Sequence, residues 1–576
     1  MYSSKYRRKH RTRDRANTLR PALVLISTAM LAACSGEVGS SRSNASSASV
    51  TVAASAMTTA GMAEHIRTLS SDEFGGRAPA SPGGELTERY LEEQFRAAGL
   101  RPGNGDSYFQ AVSMVAITGR GSPTLTLSGA GASAELAFLD DYIAWTTRIV
   151  EATSLDAAEL IFVGYGIVAP EYRWNDYEGL DVAGKTVVML VNDPGFTTQD
   201  GSVFNGNAMT YYGRWTYKYE EAARQGAAGA LVVHETGAAG YPWKVVTDSW
   251  TGPQFDLVRD DDNMGRVEVE GWLTLGAAEN LFAMAGQDFG AMKERALESD
   301  FQAVPLGVTA SVSIENDIQR SSANNVLGML PGSDQADEYV VYMAHHDHLG
   351  TASGDMEDAI YNGAFDNGTG TAGLLELVKA FRALPEPPSR SILFLAVTAE
   401  ESGLLGSAYY TTYPVYPTNQ TVAAINMDGL NIYGPMNDIT VVGFGASELD
   451  DYLNHAASAV NRVLRPDPEP EKGFYYRSDH FNFAKVGVPA LYVDGGIDHV
   501  EHGEEWTLER RDRYTAEDYH KPSDEFDENW DLTGAIDDLV LLFQMGYGLA
   551  LSGAWPNWSE GNEFRAIREA DLAGSH

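Results

Sequence analysis

One stretch of the chain, residues 339–345, reads Tyr-Val-Val-Tyr-Met-Ala-His. Its apolar part lacks the polar alternation of a half-exposed strand, and it is too short for a typical core helix. It therefore predicts a strand that is buried on both faces. Three later apolar runs, at 391–398, 423–427 and 490–493, repeat the pattern, and helical segments such as 371–384 lie between them. This alternation predicts an α/β fold: a doubly wound, mostly parallel twisted sheet flanked by helices.

Residue types that bind metals follow directly after three of these strands. The first strand leads into His345, the second into Glu400 and Glu401, and the third into Asp428. Because ligands of open α/β sheets bind at the carboxyl ends of the strands, we expect these side chains to meet at one edge. Asp366 lies in a glycine-rich loop, and glycines allow such a loop to approach the same edge closely.

Mixed histidine and carboxylate ligands suit zinc or a similar divalent ion. Two such ions about 3.5–4 Å apart need a carboxylate that bridges them. A sufficient ligand set is His345, Asp366, Glu401, Asp428 and His520. This set leaves Glu400 free to act as a base.

Five segments of the chain carry a family resemblance. They are Ala344-His345-His346-Asp347-His348, Gly363 to Gly370, Thr398-Ala399-Glu400-Glu401-Ser402-Gly403, Ile425-Asn426-Met427-Asp428 and Tyr519-His520-Lys521-Pro522-Ser523-Asp524. In this order they resemble the co-catalytic di-zinc exopeptidases of metallopeptidase family 28, which include aminopeptidases and glutamate carboxypeptidase-like enzymes. The resemblance covers about 62–125 and 320–550, and residues 70–77 are similar to the N-terminal part of the family.

The resemblance implies two zinc ions and a place for each ligand. Asp366 would bridge both ions. His345 and Asp428 would complete one ion, and Glu401 and His520 would complete the other.

Further roles follow from the same resemblance. Glu400 would be the general base, taking a proton from the attacking water and delivering it to the leaving amine. Asp347 would accept a hydrogen bond from the ring of His345 and fix its tautomer. Tyr519 is a candidate donor to the oxyanion, and Arg477 a candidate for binding the substrate main chain.

The chain departs from the family at Phe365, where many members have Asp or Asn. The departure affects neighbouring hydrogen bonds but leaves Asp366 in place. His346 and His348 are expected to be polar residues of the cleft. Asp524 is expected either to support His520 or to cap a helix.

The N-terminal region predicts export. A basic segment and a short apolar run, together residues 1–33, end before Cys34 and resemble a bacterial lipoprotein signal. In that case Cys34 is lipidated and anchors the chain to the cell envelope, facing the periplasm or the exterior; a plain secretory signal is the alternative. Residues 34–61 are rich in Ser and Ala and predict a flexible tether.

The remaining chain divides into four parts. Residues 62–134 and 311–555 form the peptidase domain, 135–310 an inserted β-rich domain, and 556–576 a C-terminal tail. The inserted region is similar to the protease-associated domain found in many family members, and Trp215, Tyr217 and Trp243 are either lid residues or core aromatics.

Composition excludes several function classes. The chain has one cysteine among 576 residues, so a disulfide framework is excluded. Its net charge of −39 argues against nucleic-acid binding. Residues 179–186 match a phosphate-loop pattern, but Thr186 opens an apolar β-like run instead of a helix, so nucleotide binding is rejected.

The leading interpretation is a lipid-anchored di-zinc aminopeptidase acting on peptides outside the cytoplasm. A carboxypeptidase or a glutaminyl cyclase-like acyl transferase of the same fold, and a non-catalytic receptor-like relative, are the alternatives. The oligomeric state, the residue preference and the metal used in the cell stay open.

Overall fold

The computed structural model describes residues 47–129, 131–352, 354 and 358–574. The predicted signal, Cys34 and the first part of the predicted tether lie outside these residues.

The N-terminal segment is helical before it becomes extended. Its elements are α1 (Ser47–Ala54), α2 (Thr59–Leu69), α3 (Pro82–Ala97), β1 (Arg101–Pro102) and β2 (Phe109–Gly119). Helix α3 begins at Pro82 because the side chain of Ser81 accepts a hydrogen bond from the N–H of Gly84, and it buries Leu91 and Phe95.

The tether prediction is wrong for its second part. Residues 47–54 and 59–61 belong to α1 and α2, and Ala53, Ala54 and Met57 are buried in the main core. The apolar side chains of this segment pack against the main core, although its composition alone suggested a segment exposed to solvent.

The insertion, residues 125–315, has a sheet and a core of its own. The segment contains the strands β3 (Leu125–Gly129), β4 (Ala132–Leu136), β5 (Tyr142–Trp145), β6 (Ala152–Phe162), β7 (Val168–Ala169), β8 (Trp174–Asn175), β9 (Thr186–Leu190), β10 (Gly229–His234), β11 (Gln254–Leu257) and β12 (Val269–Thr274). Of these, β7 and β8 pair with each other apart from the main ladder, and β11 pairs with β2 instead of with the insertion. Its helices are α4 (Pro194–Thr198), α5 (Trp215–Arg224), α6 (Thr236–Ala239), α7 (Trp243–Ser249), α8 (Leu275–Met284) and α9 (Phe289–Arg295). Strands β6, β9, β10 and β12 are parallel neighbours in that order. Thr186 opens strand β9, as predicted, and no phosphate-binding helix follows it.

The C-terminal half builds the catalytic sheet. Its strands are β13 (Val304–Leu330), β14 (Gln335–His345), β15 (Gly350–Thr351), β16 (Ile360–Tyr361), β17 (Arg390–Val397), β18 (Thr421–Met427), β19 (Asp438–Val442), β20 (Val463–Pro466) and β21 (Ala490–Asp494). Its helices are α10 (Gly370–Arg382), α11 (Leu405–Thr412), α12 (Leu449–Ala459), α13 (His480–Lys485), α14 (Gly503–Glu517), α15 (Thr533–Leu551) and α16 (Arg565–Ala573).

The centre of this sheet is parallel, in the order β17–β14–β18–β21, and β13 and β19 flank it antiparallel. In β14 the side chains of Val340 and Tyr342 enter one core, and those of Val341 and Met343 enter the core on the opposite face. Alternation between two buried faces explains why the strand reads as a continuous apolar run. The predicted doubly wound, mostly parallel sheet is confirmed.

Strand β13 joins the two sheets. Its first part pairs with β6 in the insertion, and its second part, from Asn316 onward, pairs with β2 in the catalytic sheet. Residue 310, where the sequence analysis divides the two domains, lies inside this strand. The insertion is therefore tied to the catalytic sheet by continuous β-structure.

Two C-terminal features complete the fold. By length and composition alone, helix α15 could span a membrane. However, 67% of its most apolar stretch is buried inside the protein, which is typical of a core helix. The predicted tail carries α16, and Trp558 and Phe564 pack into the core of the catalytic sheet.

Candidate functional site

The ends of three parallel strands meet at one edge of the catalytic sheet. Strand β14 ends at His345, the loop after β17 carries Glu400 and Glu401, and Asp428 follows β18 directly. Because β14 lies between β17 and β18, these loops are neighbours. The structure thus brings the residues that follow the strands together as the sequence predicted.

Asp366 faces two separate pairs of side chains. Its Oδ1 lies 3.3 Å from Nε2 of His345, and that nitrogen lies 3.2 Å from Oδ1 of Asp428. Its Oδ2 lies 3.2 Å from Nε2 of His520, and that nitrogen lies 3.1 Å from Oε2 of Glu401. Each carboxylate oxygen of Asp366 thus belongs to a different histidine–carboxylate pair, which is the geometry that a bridging ligand needs.

The donor chemistry of this cluster fits zinc. Two groups of three side chains each have ligand atoms within 4.8 Å of one another: His345, Glu400 and Asp428, and His348, Asp366 and Glu401. Imidazole nitrogens combined with carboxylate oxygens suit zinc better than Mg²⁺ or Ca²⁺, which prefer oxygen alone.

The electrostatics also favour cations here. Burial alone would lower the pKa of His520, but the hydrogen bonds that its ring donates to Asp366 and Glu401 raise it to about 10. Burial likewise opposes protonation of His345, yet Glu400 and Asp428 raise its pKa well above the usual value. The carboxylates thus hold positive charge on both rings, and a bound metal ion would take the place of those protons.

The carboxylate of Asp524 holds the loop that carries Asp366 by accepting two of its backbone N–H groups. The Oδ1 of Asp524 accepts the N–H of Phe365 at 2.9 Å, and its Oδ2 accepts the N–H of Asp366 at 3.1 Å. Both expectations for Asp524 are wrong, since it neither contacts His520 nor caps a helix. It orients Asp366 through the backbone, beside the position where Phe365 departs from the family.

Arg77 is the main structural residue of the site that the sequence did not single out. Its guanidinium is fully buried and donates to the backbone carbonyls of Leu69, His346, Asn362 and Gly363. Burial lowers the pKa of this guanidinium, and nearby carboxylates oppose the shift. Arg77 therefore fixes the loops around Asp366 and places a permanent cation under the acidic cluster.

Asp347 lies beside His345 but bonds differently from the prediction. The Nδ1 of His345 is 3.8 Å from the Asp347 carboxylate, too far for a hydrogen bond, and 3.3 Å from the Asp347 backbone carbonyl. The carboxylate instead accepts the N–H of Glu400 at 3.0 Å and the N–H of Glu401 at 3.3 Å. Asp347 thus orients the backbone of Glu400 and Glu401, and the carbonyl of the same residue faces the imidazole of His345.

Glu400 lines the cleft, and a carboxylate oxygen of Glu400 lies within 4.8 Å of ligand atoms of His345 and Asp428. Burial, opposed by His345, and the negative charges of Asp428 and Glu401 raise the pKa of Glu400 well above its usual value. A carboxyl group with a raised pKa is suited to holding a proton between two steps of a reaction.

Ser478 is a second residue that sequence reasoning missed. Its hydroxyl donates to Oδ2 of Asp428 at 2.6 Å and accepts from the amide of Asn426 at 2.7 Å. The oxygen of Asp428 that faces His345 is thereby left free for a metal. Only the fold brings these segments together, so no local sequence signal marks the contact.

The two histidines on either side of Asp347, His346 and His348, have different contacts. Nδ1 of His348 lies 2.6 Å from Oε1 of Glu401, so His348 contacts a predicted ligand directly, although the sequence placed it in the general cleft wall. His346 points to the carbonyl of Asn324 at 3.1 Å and is not part of the cluster.

The two candidate substrate residues both line the cleft. The ring of Tyr519 is stacked on that of His520, with centroids 3.8 Å apart. The guanidinium of Arg477 lies over the ring of Phe474. Their roles in binding the oxyanion and the main chain stay predictions.

The cleft, about 1200 Å³ in volume, is bounded by both parts of the chain. Glu400 and Asp428 contribute from the catalytic sheet, and Trp215 from the insertion. Of the other proposed lid aromatics, Tyr217 is buried in the core of the insertion, and Trp243 donates its indole N–H to the carbonyl of Leu139. Only Trp215 of the three faces the cleft.

Comparison with known proteins places this site in a family. Residues 325–544 match the model described as peptidase family M28. The mouse aminopeptidase NAALADL1 is 35% identical over 129 residues, which are 22% of this chain and 16% of that protein. A glutamate carboxypeptidase 2 homolog of Caenorhabditis elegans is 26% identical over 203 residues, which are 33% of this chain and 24% of that protein. This chain thus matches a quarter or less of the length of these curated relatives.

One solved structure is similar over most of its length. The aminopeptidase from Aneurinibacillus sp. strain AM-1 superimposes with a TM-score of 0.47 and 19% identity, over 87% of this chain and 96% of that one.

The family match and the ligand-type side chains occupy the same part of the molecule. His345, Asp366, Glu401, Asp428 and His520 all lie within the matched residues. Residues 325–544 of this chain therefore form a domain of peptidase family M28.

Proposed function

We propose that this chain is a di-zinc exopeptidase that acts as an aminopeptidase on peptides. The observation that carries the proposal is the placement of Asp366, whose two carboxylate oxygens each face a different histidine–carboxylate pair. One shared carboxylate between two sets of ligands is the arrangement that two neighbouring divalent ions require.

The ligands divide into two sets. His345 and Asp428 would hold one ion, Glu401 and His520 the other, and Asp366 both. When bound, the ions supply Lewis-acid polarisation of the scissile carbonyl and lower the pKa of a water molecule.

The remaining steps belong to side chains of the protein. Glu400 removes a proton from the attacking water and delivers it to the nitrogen of the leaving amine as the peptide bond breaks. Asp347 holds Glu400 in place through its backbone N–H. Tyr519 donates a hydrogen bond to the developing oxyanion, and Arg477 binds the substrate main chain.

A cleavage profile tests the aminopeptidase assignment. Zinc-loaded protein is incubated with peptides that have a free N-terminus and with the same peptides acetylated at the N-terminus, and the products are identified by mass spectrometry. We expect release of single N-terminal residues from the free peptides only. Release of C-terminal residues from both sets would instead establish a carboxypeptidase, and no cleavage of any peptide would overturn the exopeptidase proposal.

Metal analysis tests the number of ions. We expect two zinc ions per chain after loading and removal of excess metal. A single tightly bound zinc would contradict the di-zinc proposal and favour the glutaminyl cyclase-like alternative.

We further propose that the chain is exported and anchored to the cell envelope by lipid at Cys34, with the insertion acting as a protease-associated domain. The basic residues before an apolar run that ends at Cys34 support the export part of this proposal. Full-length protein should fractionate with membranes and incorporate labelled palmitate, and Cys34→Ser should do neither. Equal membrane association of the variant would contradict the anchor.

A further inference from the structure

Asp479 is a fully buried residue whose carboxyl group has no part in the proposed mechanism. It directly precedes helix α13, but its side chain accepts no N–H of that helix and therefore does not cap it. Its Oδ1 accepts a hydrogen bond from the hydroxyl of Ser407 at 2.5 Å, and its Oδ2 has no hydrogen-bond partner among the described residues. Because burying a carboxyl group with one partner is unfavourable, stability alone does not explain this residue.

The hydroxyl of Ser407 connects Asp479 to a third side chain, the amide of Asn482. That amide donates to the carbonyl of Leu404 at 3.0 Å and to the hydroxyl oxygen of Ser407 at 2.9 Å. The hydroxyl has a single proton, and Asp479 is a closer acceptor for it than the carbonyl of Leu404 at 3.1 Å. Asp479, Ser407 and Asn482 thus form one chain of hydrogen bonds that ends at Leu404.

Leu404 ends the backbone turn that carries Glu400. The N–H groups of Gly403 and Leu404 donate to the carbonyl of Glu400 at 2.9 and 2.8 Å. Both ends of this turn are strained, since Ala399 and Leu404 have φ values of 56° and 61°, which residues other than glycine rarely adopt. A strained backbone persists only where its surroundings hold it, and such positions are common at active sites.

Two buried carboxylates therefore act on opposite ends of this turn. Asp347 accepts two backbone N–H groups at its beginning, and Asp479 acts on its end through the chain of hydrogen bonds. Asp479 and Ser407 are both completely buried, so neither can contact a substrate. An effect of either residue on turnover must then pass through the position of Glu400.

We propose that Asp479 is a positioning residue for the general base. By accepting the hydroxyl proton of Ser407 it fixes the turn at residues 400–404, and with it the side chain of Glu400. A displacement of about 1 Å in a reacting group is enough to cost about 100-fold in rate. This inference rests on the proposed peptidase function and adds a residue that acts on the reaction without touching the substrate.

Kinetics of variants test the proposal, with zinc-loaded protein and leucine p-nitroanilide as the substrate. Asp479→Ala removes the acceptor, so we expect kcat to fall about 10-fold to 100-fold while KM and zinc content stay unchanged. Asp479→Asn keeps an acceptor oxygen at the same place and should retain most of the turnover. Ser407→Ala should lower kcat as well, and the double variant should lose no more than Asp479→Ala, because both residues act through one hydrogen bond.

The insertion offers a matched control. There the hydroxyl of Thr210 donates to the buried carboxylate of Asp193 at 2.7 Å. Thr210→Val should lower the melting temperature about as much as Ser407→Ala does and leave kcat unchanged. A comparable loss of kcat in Thr210→Val would assign the effect to general destabilisation and overturn the positioning role.

Hydrogen exchange provides a readout that does not depend on turnover. In Ser407→Ala the peptide that spans residues 399–406 should exchange faster than in the unaltered protein, because the N–H groups of Gly403 and Leu404 are less well held, while strand β17 stays constant. The same variant carries the kinetic test if Asp479→Ala does not fold.

The outcomes separate this inference from the proposed function. Normal kcat in both Asp479→Ala and Ser407→Ala overturns the positioning role and leaves the peptidase standing. If no peptide is cleaved by the unaltered protein, the exchange measurement still decides. Faster exchange confined to residues 399–406 supports the role of the hydrogen-bond chain, and unchanged exchange there rejects it.

Discussion

Two regions of the molecule bury charged side chains but neutralise them differently. One is the edge of the catalytic sheet that carries His345, Asp366 and Asp428, called the catalytic edge below, and the other is the interior of the insertion. In the insertion, Nζ of Lys218 donates to the carbonyls of Tyr165 and Asn192 at 2.6 and 2.8 Å. Nearby, Asp193 accepts two hydrogen bonds from Thr210, and Asp176 accepts bonds from Ile167 and Trp174. Every charged group of this cluster has a partner within the protein.

The catalytic edge gathers the carboxylates of Asp366, Glu400, Glu401 and Asp428 around His345, His348 and His520. Hydrogen bonds to Asp366 and Glu401 raise the pKa of His520. Burial lowers the pKa of Lys218 and raises that of Asp176, which shows the cost of burying charge even where it is satisfied. The difference teaches that buried charge by itself does not identify a functional site. An excess of charge of one sign at a cleft does identify such a site.

The largest expected effect is a loss of turnover that follows a substitution at the catalytic edge but not one in the insertion. Glu400→Gln should lower kcat by about 10²–10⁴-fold, because the general base is lost while the ligands stay in place. Zinc content and melting temperature should be unchanged. Glu221→Gln, at a buried glutamate of the insertion that pairs with Arg224, is the control and should keep normal turnover. Near-normal kcat for Glu400→Gln would remove the proposed mechanism.

Stability should respond most strongly in the insertion. Lys218→Met leaves the buried carbonyls of Tyr165 and Asn192 without their donor and removes the positive charge near the buried carboxylates of Asp176 and Asp193. We therefore expect a loss of about 3–5 kcal/mol in the free energy of unfolding, measured with urea. Activity per folded molecule should be retained. Lys244→Met removes the exposed pair with Asp248 in the same region and should change stability by less than about 1 kcal/mol. Equal losses in the two variants would contradict the role of the buried cluster.

Metal removal should affect only the catalytic edge. With free zinc at about 100 times the dissociation constant, each site adds about 2.7 kcal/mol to the free energy of unfolding, and a chelator should abolish this gain. Hydrogen exchange should increase around residues 363–370 and 519–524 and stay constant in β9 and β10. Asp366→Ala, which lacks the shared ligand, should show no zinc-dependent change. A uniform response across both regions would argue against a metal centre at this edge.

The smallest expected effect concerns helix α2, which packs next to the catalytic edge, and the free energy of unfolding at acidic pH. Helix α2 packs against the loop that carries Asp366, and burial of His65 in that helix lowers its pKa from 6.5 to about 4. The neutral ring is favoured in the folded state, so its contribution is complete above pH 6.5 and is lost as the pH falls toward 4. This loss amounts to about 1 kcal/mol between pH 6.5 and 5.5.

His65→Gln should flatten that part of the stability curve while keeping a hydrogen-bond partner for Tyr90. The measurement is urea unfolding at several pH values, with pH 8 as the reference. An unchanged slope in the variant would mean that other groups cause the acid sensitivity.

The positions of the buried strands were the most predictable part of this molecule. The runs at 339–344, 391–398 and 423–427 correspond to β14, β17 and β18, because a strand buried on both faces leaves a continuous apolar signature. The short helices of the insertion, such as α4 and α6, were missed, since four or five residues carry no helical period.

The sequence by itself determined which residue types end each central strand, and hence which side chains could form a metal site. Local apolar periodicity and strand polarity suffice for that, because parallel strands deliver their carboxyl ends to one edge. Tertiary structure alone decided how those side chains are held. Arg77, Asp524 and Ser478 act on loops far from them in the chain, and Arg214 reaches the cleft from the insertion. Such contacts follow from the packing of distant segments, which leaves no pattern in the local order of residues.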